Sequence, residues 1–208
     1  LGDVYKRQIF SIAVDADNVK WFGTIDGVSC FNGTTWKTYT KADGLASNSI
    51  QSIAVDPDNI KWFGTGSGLS CFDGTAWTTY TTEIESNSNF VRATAVDADN
   101  VKWFGFECGG VSSYDRTSWE IYTGSVHSCI RSIAVDADNV KWFGTREGVS
   151  SFDGTTWTTY TTKDGLVSND IQSIAVDADN VRWFGTDGSG LSGFNGATWI
   201  TYSPESWG

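Results

Sequence analysis

Four residues sit at matching places just ahead of a recurring Ala-Val-Asp segment: Gln51, Arg92, Arg131 and Gln172. Two guanidiniums and two amides gathered at one mouth offer planar sets of donors for a carboxylate or for sugar hydroxyls. The competing reading is a solvated polar collar. A second group deviates from the pattern around it: Phe106, Glu107 and Cys108, then His127 and Cys129, with Arg146 in the next unit. Phe106, Glu107, His127 and Arg146 join the four collar residues as candidate ligand contacts. Cys108 and Cys129 are candidates for a disulfide in an oxidising compartment. A zinc site from Cys108, His127 and Cys129 is weighed and set aside, because their spacing matches no metal pattern and no fourth ligand is evident. His127 is the only histidine, so it alone could serve a Ser/His/Asp or Cys/His scheme. No nucleophile elbow, phosphate-binding loop or zinc-protease motif is present. No catalytic residue, metal or cofactor is therefore expected.

The elements that must position these side chains come from a repeat. Ser11–Ile–Ala–Val–Asp–Ala–Asp–Asn–Val–Lys–Trp–Phe–Gly–Thr24 recurs from Ser52, Ala93, Ser132 and Ser173. Its tryptophans, Trp21, Trp62, Trp103, Trp142 and Trp183, are spaced 41, 41, 39 and 41 residues apart. A second series follows at Trp36, Trp77, Trp119, Trp157 and Trp199, so ten of the 11 tryptophans belong to the repeat. A period near 41 falls in the propeller range. Each unit reads as four short strands, in the first unit Ser11–Asp15 (A), Val19–Thr24 (B), Val28–Phe31 (C) and Thr35–Thr40 (D). Asn32–Gly33, Asp73–Gly74, Asp153–Gly154 and Asn195–Gly196 predict type I′ hairpins between C and D. The Asp-x-Asp-Asn turns between A and B hint at calcium, but turn structure explains them better.

Trp21 and Phe22 are adjacent and point to opposite faces of strand B, so each sheet must be covered on both sides. The expected fold is an all-β, five-bladed β-propeller, one repeat of about 41 residues and four antiparallel strands per blade. The blades span approximately 9–50, 51–91, 92–130, 131–171 and 172–202, within one domain over 9–202. The aromatics read as core packing rather than as a stacking site. Each repeat makes a whole blade, so the ring is expected to close by packing blade 1 on blade 5, at roughly 72° per blade. A ring that failed to close would expose two apolar faces. Cys30 and Cys71 read as buried thiols. The B–C turns and D–A linkers share one face of the disc and differ between units, which makes that face the candidate for binding.

The pattern S-I-A-V-D-x-D-N-V-K-W-F-G-T…G-V-S-x-F-D-G-T-x-W-T-T-Y-T…D-G-L-x-S-N resembles the two-component regulator propeller repeat. Its most specific part is Lys163–Asp–Gly–Leu–Val–Ser–Asn169, with a counterpart at Ala42–Asp–Gly–Leu–Ala–Ser–Asn48. The resemblance covers about 9–202. It implies a periplasmic or extracellular sensor module for a small ligand such as a carbohydrate fragment, and it supplies no catalytic residues. The enzyme alternative is a propeller like the streptogramin lyases, and a third reading is a recently amplified structural propeller with no ligand. Residues 1–8 leave the repeat and resemble the adapter-derived peptide found at the ends of metagenomic reading frames; 203–208 leave it as well. An excerpt of a longer array is the expectation.

Composition narrows the partners. With 14 Lys+Arg against 25 Asp+Glu the net charge is −11. A surface that tracks phosphates needs clustered cations, so nucleic acid is not an expected partner. No apolar run approaches the roughly 18 residues of a membrane-spanning helix, and membrane insertion is not expected. A monomer is expected, with self-association should the ring stay open.

Overall fold

The computed structural model describes residues 8–81, 88–124, 126–127 and 129–203. Of the non-repeat leader at 1–8 and the tail at 203–208, residues 1–7 and 204–208 lie outside the described residues. Twenty strands form five separate four-stranded antiparallel meanders. Blade 1 holds β1 (Ser11–Val14), β2 (Lys20–Thr24), β3 (Gly27–Phe31) and β4 (Trp36–Tyr39). Blade 2 holds β5 (Ile50–Val55), β6 (Lys61–Thr65), β7 (Gly68–Phe72) and β8 (Trp77–Tyr80). Blade 3 holds β9 (Val91–Val96), β10 (Lys102–Phe106), β11 (Val111–Tyr114) and β12 (Trp119–Tyr122). Blade 4 holds β13 (Ile130–Val135), β14 (Lys141–Thr145), β15 (Val149–Phe152) and β16 (Trp157–Tyr160). Blade 5 holds β17 (Ile171–Val176), β18 (Arg182–Thr186), β19 (Leu191–Phe194) and β20 (Trp199–Tyr202). The expected all-β, five-bladed propeller is the observed fold.

The repeated tryptophans build the blade interfaces. Trp21 meets Phe63 of blade 2 edge-on at 5.8 Å between ring centroids, and Trp103 meets Phe143 of blade 4 the same way at 5.9 Å. The outer series packs similarly, with Tyr39 against Trp77 and Tyr122 against Trp157. Where β-strands of adjacent blades converge, Gly23 and Gly144 make room: a Cβ on either would lie 2.7 Å from the Cγ2 of Ile50 or Ile171.

The Asp-x-Asp-Asn turns are structural straps. One Asp15 carboxylate oxygen accepts from the Asp17 and Val19 amides; the other accepts from the Trp21 indole and faces Lys61 of blade 2 at 3.2 Å. Burial pulls the Asp15 carboxyl upward, but the indole, the Val19 amide and Lys61 outweigh it and hold the group below its ordinary value. Asn18 and its four counterparts sit at φ near +60°, a conformation Asn tolerates better than most residues. Lys102–Asp56, Lys141–Asp97 and Arg182–Asp136 repeat the cross-blade pair at 3.1, 3.7 and 2.5 Å. The calcium hint is thus answered by turn and interface bonds.

Three expectations change. The C–D turns are not type I′: only the glycine of each Asn-Gly or Asp-Gly has positive φ, as in Gly33 at +100°. Asn32 stands one place earlier, where its side-chain oxygen accepts from the Thr34 and Thr35 amides. Positive φ at the first central residue alone is the type II′ signature. Second, Cys30 and Cys71 are half-buried, not fully enclosed. Third, the described residues do not close the ring. Four aromatic clusters join blades 1–2, 2–3, 3–4 and 4–5, and among the described residues none joins 5 to 1. Ile12 is 61% exposed and Trp36 63%, against 9% for Ile53 in the matching place of blade 2.

Candidate functional site

Two linkers show what the most specific motif does. After β4, Asp43 caps the chain by accepting from the Thr40 amide at 2.8 Å, and Asn48 accepts from the Lys41 amide. Gly44, at φ +122°, packs against Trp77 of the next blade, and Leu45 is buried as a plug between blades 1 and 2. The Ala46 amide then donates to Ser70 Oγ. The blade 4–5 junction repeats this with Leu166 and with Val167 donating to Ser192 Oγ.

At the blade 3–4 junction the linker is shorter and the motif is missing. Val126 takes the buried apolar place of the leucine. Ser150, the counterpart of Ser70, pairs instead with Thr159 across β15 and β16. The result is a cleft of about 280 Å³ lined by Gly124, Val126, His127, Thr145, Glu147, Ser150 and Thr159. It opens on the variable face. His127 Nε2 lies 3.3 Å from a Glu147 carboxylate oxygen, and His127 Nδ1 accepts from the Cys129 amide. Beside it, Cys108 Sγ and Cys129 Sγ are 3.0 Å apart, with no disulfide between them. Contact with Cys129 raises the Cys108 thiol above its ordinary value, burial and Glu107 add to that, and Arg146 nearby opposes it. His127, Cys108, Cys129 and Arg146 are therefore brought together.

The collar residues do not form one ring. Gln51 donates to Ser49 within its own blade. Arg92 is paired with Glu107 at 2.6 Å, each about one-third exposed. Arg131, its side chain 10% exposed, pairs with Asp170 at 2.5 Å, and Gln172 donates to the same carboxylate. Phe106 does not reach the face at all. It is fully buried with Trp62, Leu69, Val91 and Phe104, so it packs the blade 2–3 interface and is withdrawn as a ligand contact. The reasoning from residues missed Thr145, Ser150, Thr159 and Glu147 as cleft walls, and Asp170 as the partner of Arg131. Asp170 had a signal, since it stands where the matching linker carries Ser49. Among the described residues no group of three or more His, Cys, Asp and Glu is gathered as for a metal ion.

The fold and site together define a β-propeller arc with a polar cleft at the blade 3–4 junction. It is similar to the extracellular domain of a hybrid two-component system from B. thetaiotaomicron, at TM-score 0.80 and 24% identity over 93% of this chain. The chain spans 29% of that protein's length. It is also similar to virginiamycin B lyase from Staphylococcus aureus, at TM-score 0.79 and 14% identity, covering 96% of this chain and 72% of that one. No family model and no curated protein matches the sequence. At these identities the likeness establishes the fold, and it agrees with the resemblance to two-component regulator propeller repeats. Among the described residues no helix is long and apolar enough to cross a membrane.

Proposed function

We propose that this chain is a non-catalytic, ligand-binding module of sensor type, working outside the cytoplasm, and that a small carbohydrate docks in the cleft between blades 3 and 4. The observation that carries the reading is the cleft itself. Thr145, Ser150, Thr159, His127 and Glu147 surround the apolar Val126, which matches a ligand with many hydroxyls and one apolar face. An anion fits less well. Of the three candidate guanidiniums, Arg92 and Arg131 are already held by carboxylates, and Glu147, next to Arg146, projects a negative charge at the rim. An array of mono- and oligosaccharides titrated calorimetrically tests this. Binding should be saturable and about tenfold weaker in Glu147→Gln or His127→Ala, as for the loss of one hydrogen bond to a charged group. No saccharide bound by the wild type, or binding untouched by both changes, would defeat the proposal. Loss of anion binding in Arg92→Ala with Arg131→Ala would favour the collar instead. The lyase reading is checked by metal-dependent turnover of a streptogramin, which this reading expects to be absent.

A further inference from the structure

One cavity recurs at three blade junctions on the strap face, the side opposite the saccharide cleft. In each, the inner tryptophan and the outer tyrosine of one blade stack, and a ring of the next blade forms the third wall. These are Trp21, Tyr39 and Phe72 at the blade 1–2 junction, and Trp103, Tyr122 and Phe152 at the blade 3–4 junction. The blade 2–3 junction repeats the arrangement. In chain order the volumes are about 280, 240 and 210 Å³. Aromatic walls around one space suit a cation that carries apolar substituents.

The three cavities differ in charge. The first is lined by Asp15 and Asp17 against Lys37 and Lys61, the second by Asp58 against Lys102 and Arg116. Each of these two supplies a cation of its own. Lys37 Nζ lies 4.4 Å from the centre of the Tyr39 ring, and Arg116 is paired with Asp58. The third cavity has lost both devices. Glu120 stands where blade 1 has Lys37, and Gly154 stands where blade 3 has Arg116. Four carboxylates, Asp97, Asp99, Asp115 and Glu120, therefore line a space with one cation, Lys141. Lys141 faces Asp97 at 3.7 Å and lies over the Trp103 and Phe152 rings. The other three carboxylates bond neutral groups. Asp99 accepts from the Asn139 side-chain amide, Asp115 from the Thr117 and Ser118 amides, and Glu120 from the Tyr122 hydroxyl at 2.5 Å. That last bond holds a carboxylate at the edge of the Tyr122 ring. Among the described residues no cation lies over this ring, although Lys37 covers its counterpart Tyr39.

We propose that the strap-face cavity between blades 3 and 4 binds a small alkylammonium ion, its charged head over Tyr122 among Asp99, Asp115 and Glu120, its apolar part against Trp103 and Phe152. The blade 1–2 cavity shows the geometry, because there the chain's own lysine ammonium takes the place over the tyrosine. A divalent metal fits less well, since among the described residues no three acidic groups gather closely enough to hold one. An anion would meet like charge on every side but that of Lys141.

The test titrates butylammonium chloride into the whole chain calorimetrically, with ammonium chloride and sodium butyrate as controls at matched ionic strength. One butylammonium should bind per chain, about tenfold or more tighter than ammonium, and butyrate should not bind. Glu120→Lys, which copies blade 1 at an exposed position, should abolish that binding and leave the melting temperature unchanged. Tyr122→Leu keeps all four carboxylates and should still weaken binding about tenfold, as for the loss of a cation–ring contact. Equal affinity for ammonium and butylammonium would reduce the site to a counter-ion atmosphere and overturn the proposal. So would binding that survives Glu120→Lys, binding that is untouched in a folded Tyr122→Leu chain, or no saturable binding to the wild type.

Discussion

Single residues in this protein act mostly as struts, and their cost can be forecast. Lys102 is almost fully buried against the Asp56 carboxylate, 3.1 Å away, and over the Trp62 ring at 5.7 Å. Lys102→Met keeps the packing but leaves Asp56 without its counter-charge. Urea unfolding should register a loss of about 3 kcal/mol, the scale for breaking a buried ion pair from one side. The same change at Lys20 should cost almost nothing, since among the described residues that side chain has no acid opposite it. Gly74 isolates a backbone effect. Nothing lies within 4 Å of an added Cβ, yet φ is +102°, so Gly74→Ala should lose about 1 kcal/mol from conformation alone. Arg116 already bears that strain at φ +82° in the matching turn of blade 3.

At the scale of elements, the close approach of consecutive blades is the test of the packing. Gly144→Ala drives a methyl into Ile171 and should destabilise by about 1–3 kcal/mol, the range for overpacking. Gly185→Ala, on the open face, meets the movable Ser173 hydroxyl at 2.6 Å and should be nearly silent in the same melt. The blade 3–4 linker offers a covalent check. Treatment with oxidised glutathione should join Cys108 to Cys129: each thiol gives up a proton and an electron, and the glutathione disulfide is reduced to two thiols. Intact mass should fall by two hydrogens, and thermal stability should rise by about 3 kcal/mol for a loop of this length. Alkylation of Cys108 and Cys129 along with Cys30 and Cys71, four thiols rather than two, would show that the linker holds the sulfurs apart. The linker comparison also explains why the cleft was hidden. Leu45 and Leu166 were visible as a motif, but nothing in the letters said that they plug a gap, so the shorter linker at Val126 read as a mere length difference.

For the whole molecule, the acidic straps set the response to pH. Asp15 and Asp136 are held below the ordinary aspartate value despite burial, by Trp21 and Trp142 first, then by the Val19 and Val140 amides, then by the Lys61 and Arg182 partners. Asp73 and Asp115, held at about 2 by turn amides and hydroxyls, act in the same direction. A depressed folded value means that the stabilisation is complete above the unfolded value, near 3.9, and is lost as protons bind below it. Thermal melts should therefore change little from pH 7 to 5 and fall steeply below about pH 4. A melt unchanged at pH 3 would mean that the straps carry little of the stability.

The four-strand order of each blade and the use of the Trp21 and Trp36 series as packing residues followed from the sequence alone, because a period of 41 residues with alternating apolar positions leaves a β-meander few other ways to cover both its faces. Asn32 and Gly33 marked the hairpin too, although which of the two needed positive φ came only from the backbone. Three things were decided by the tertiary structure: that Phe106 turns inward, that a missing leucine opens a cleft beside His127, and that among the described residues no apolar cluster joins blade 5 to blade 1. Each depends on the angle and distance between neighbouring sheets. That relation is set by the summed fit of side chains across four interfaces, and no single repeat encodes it.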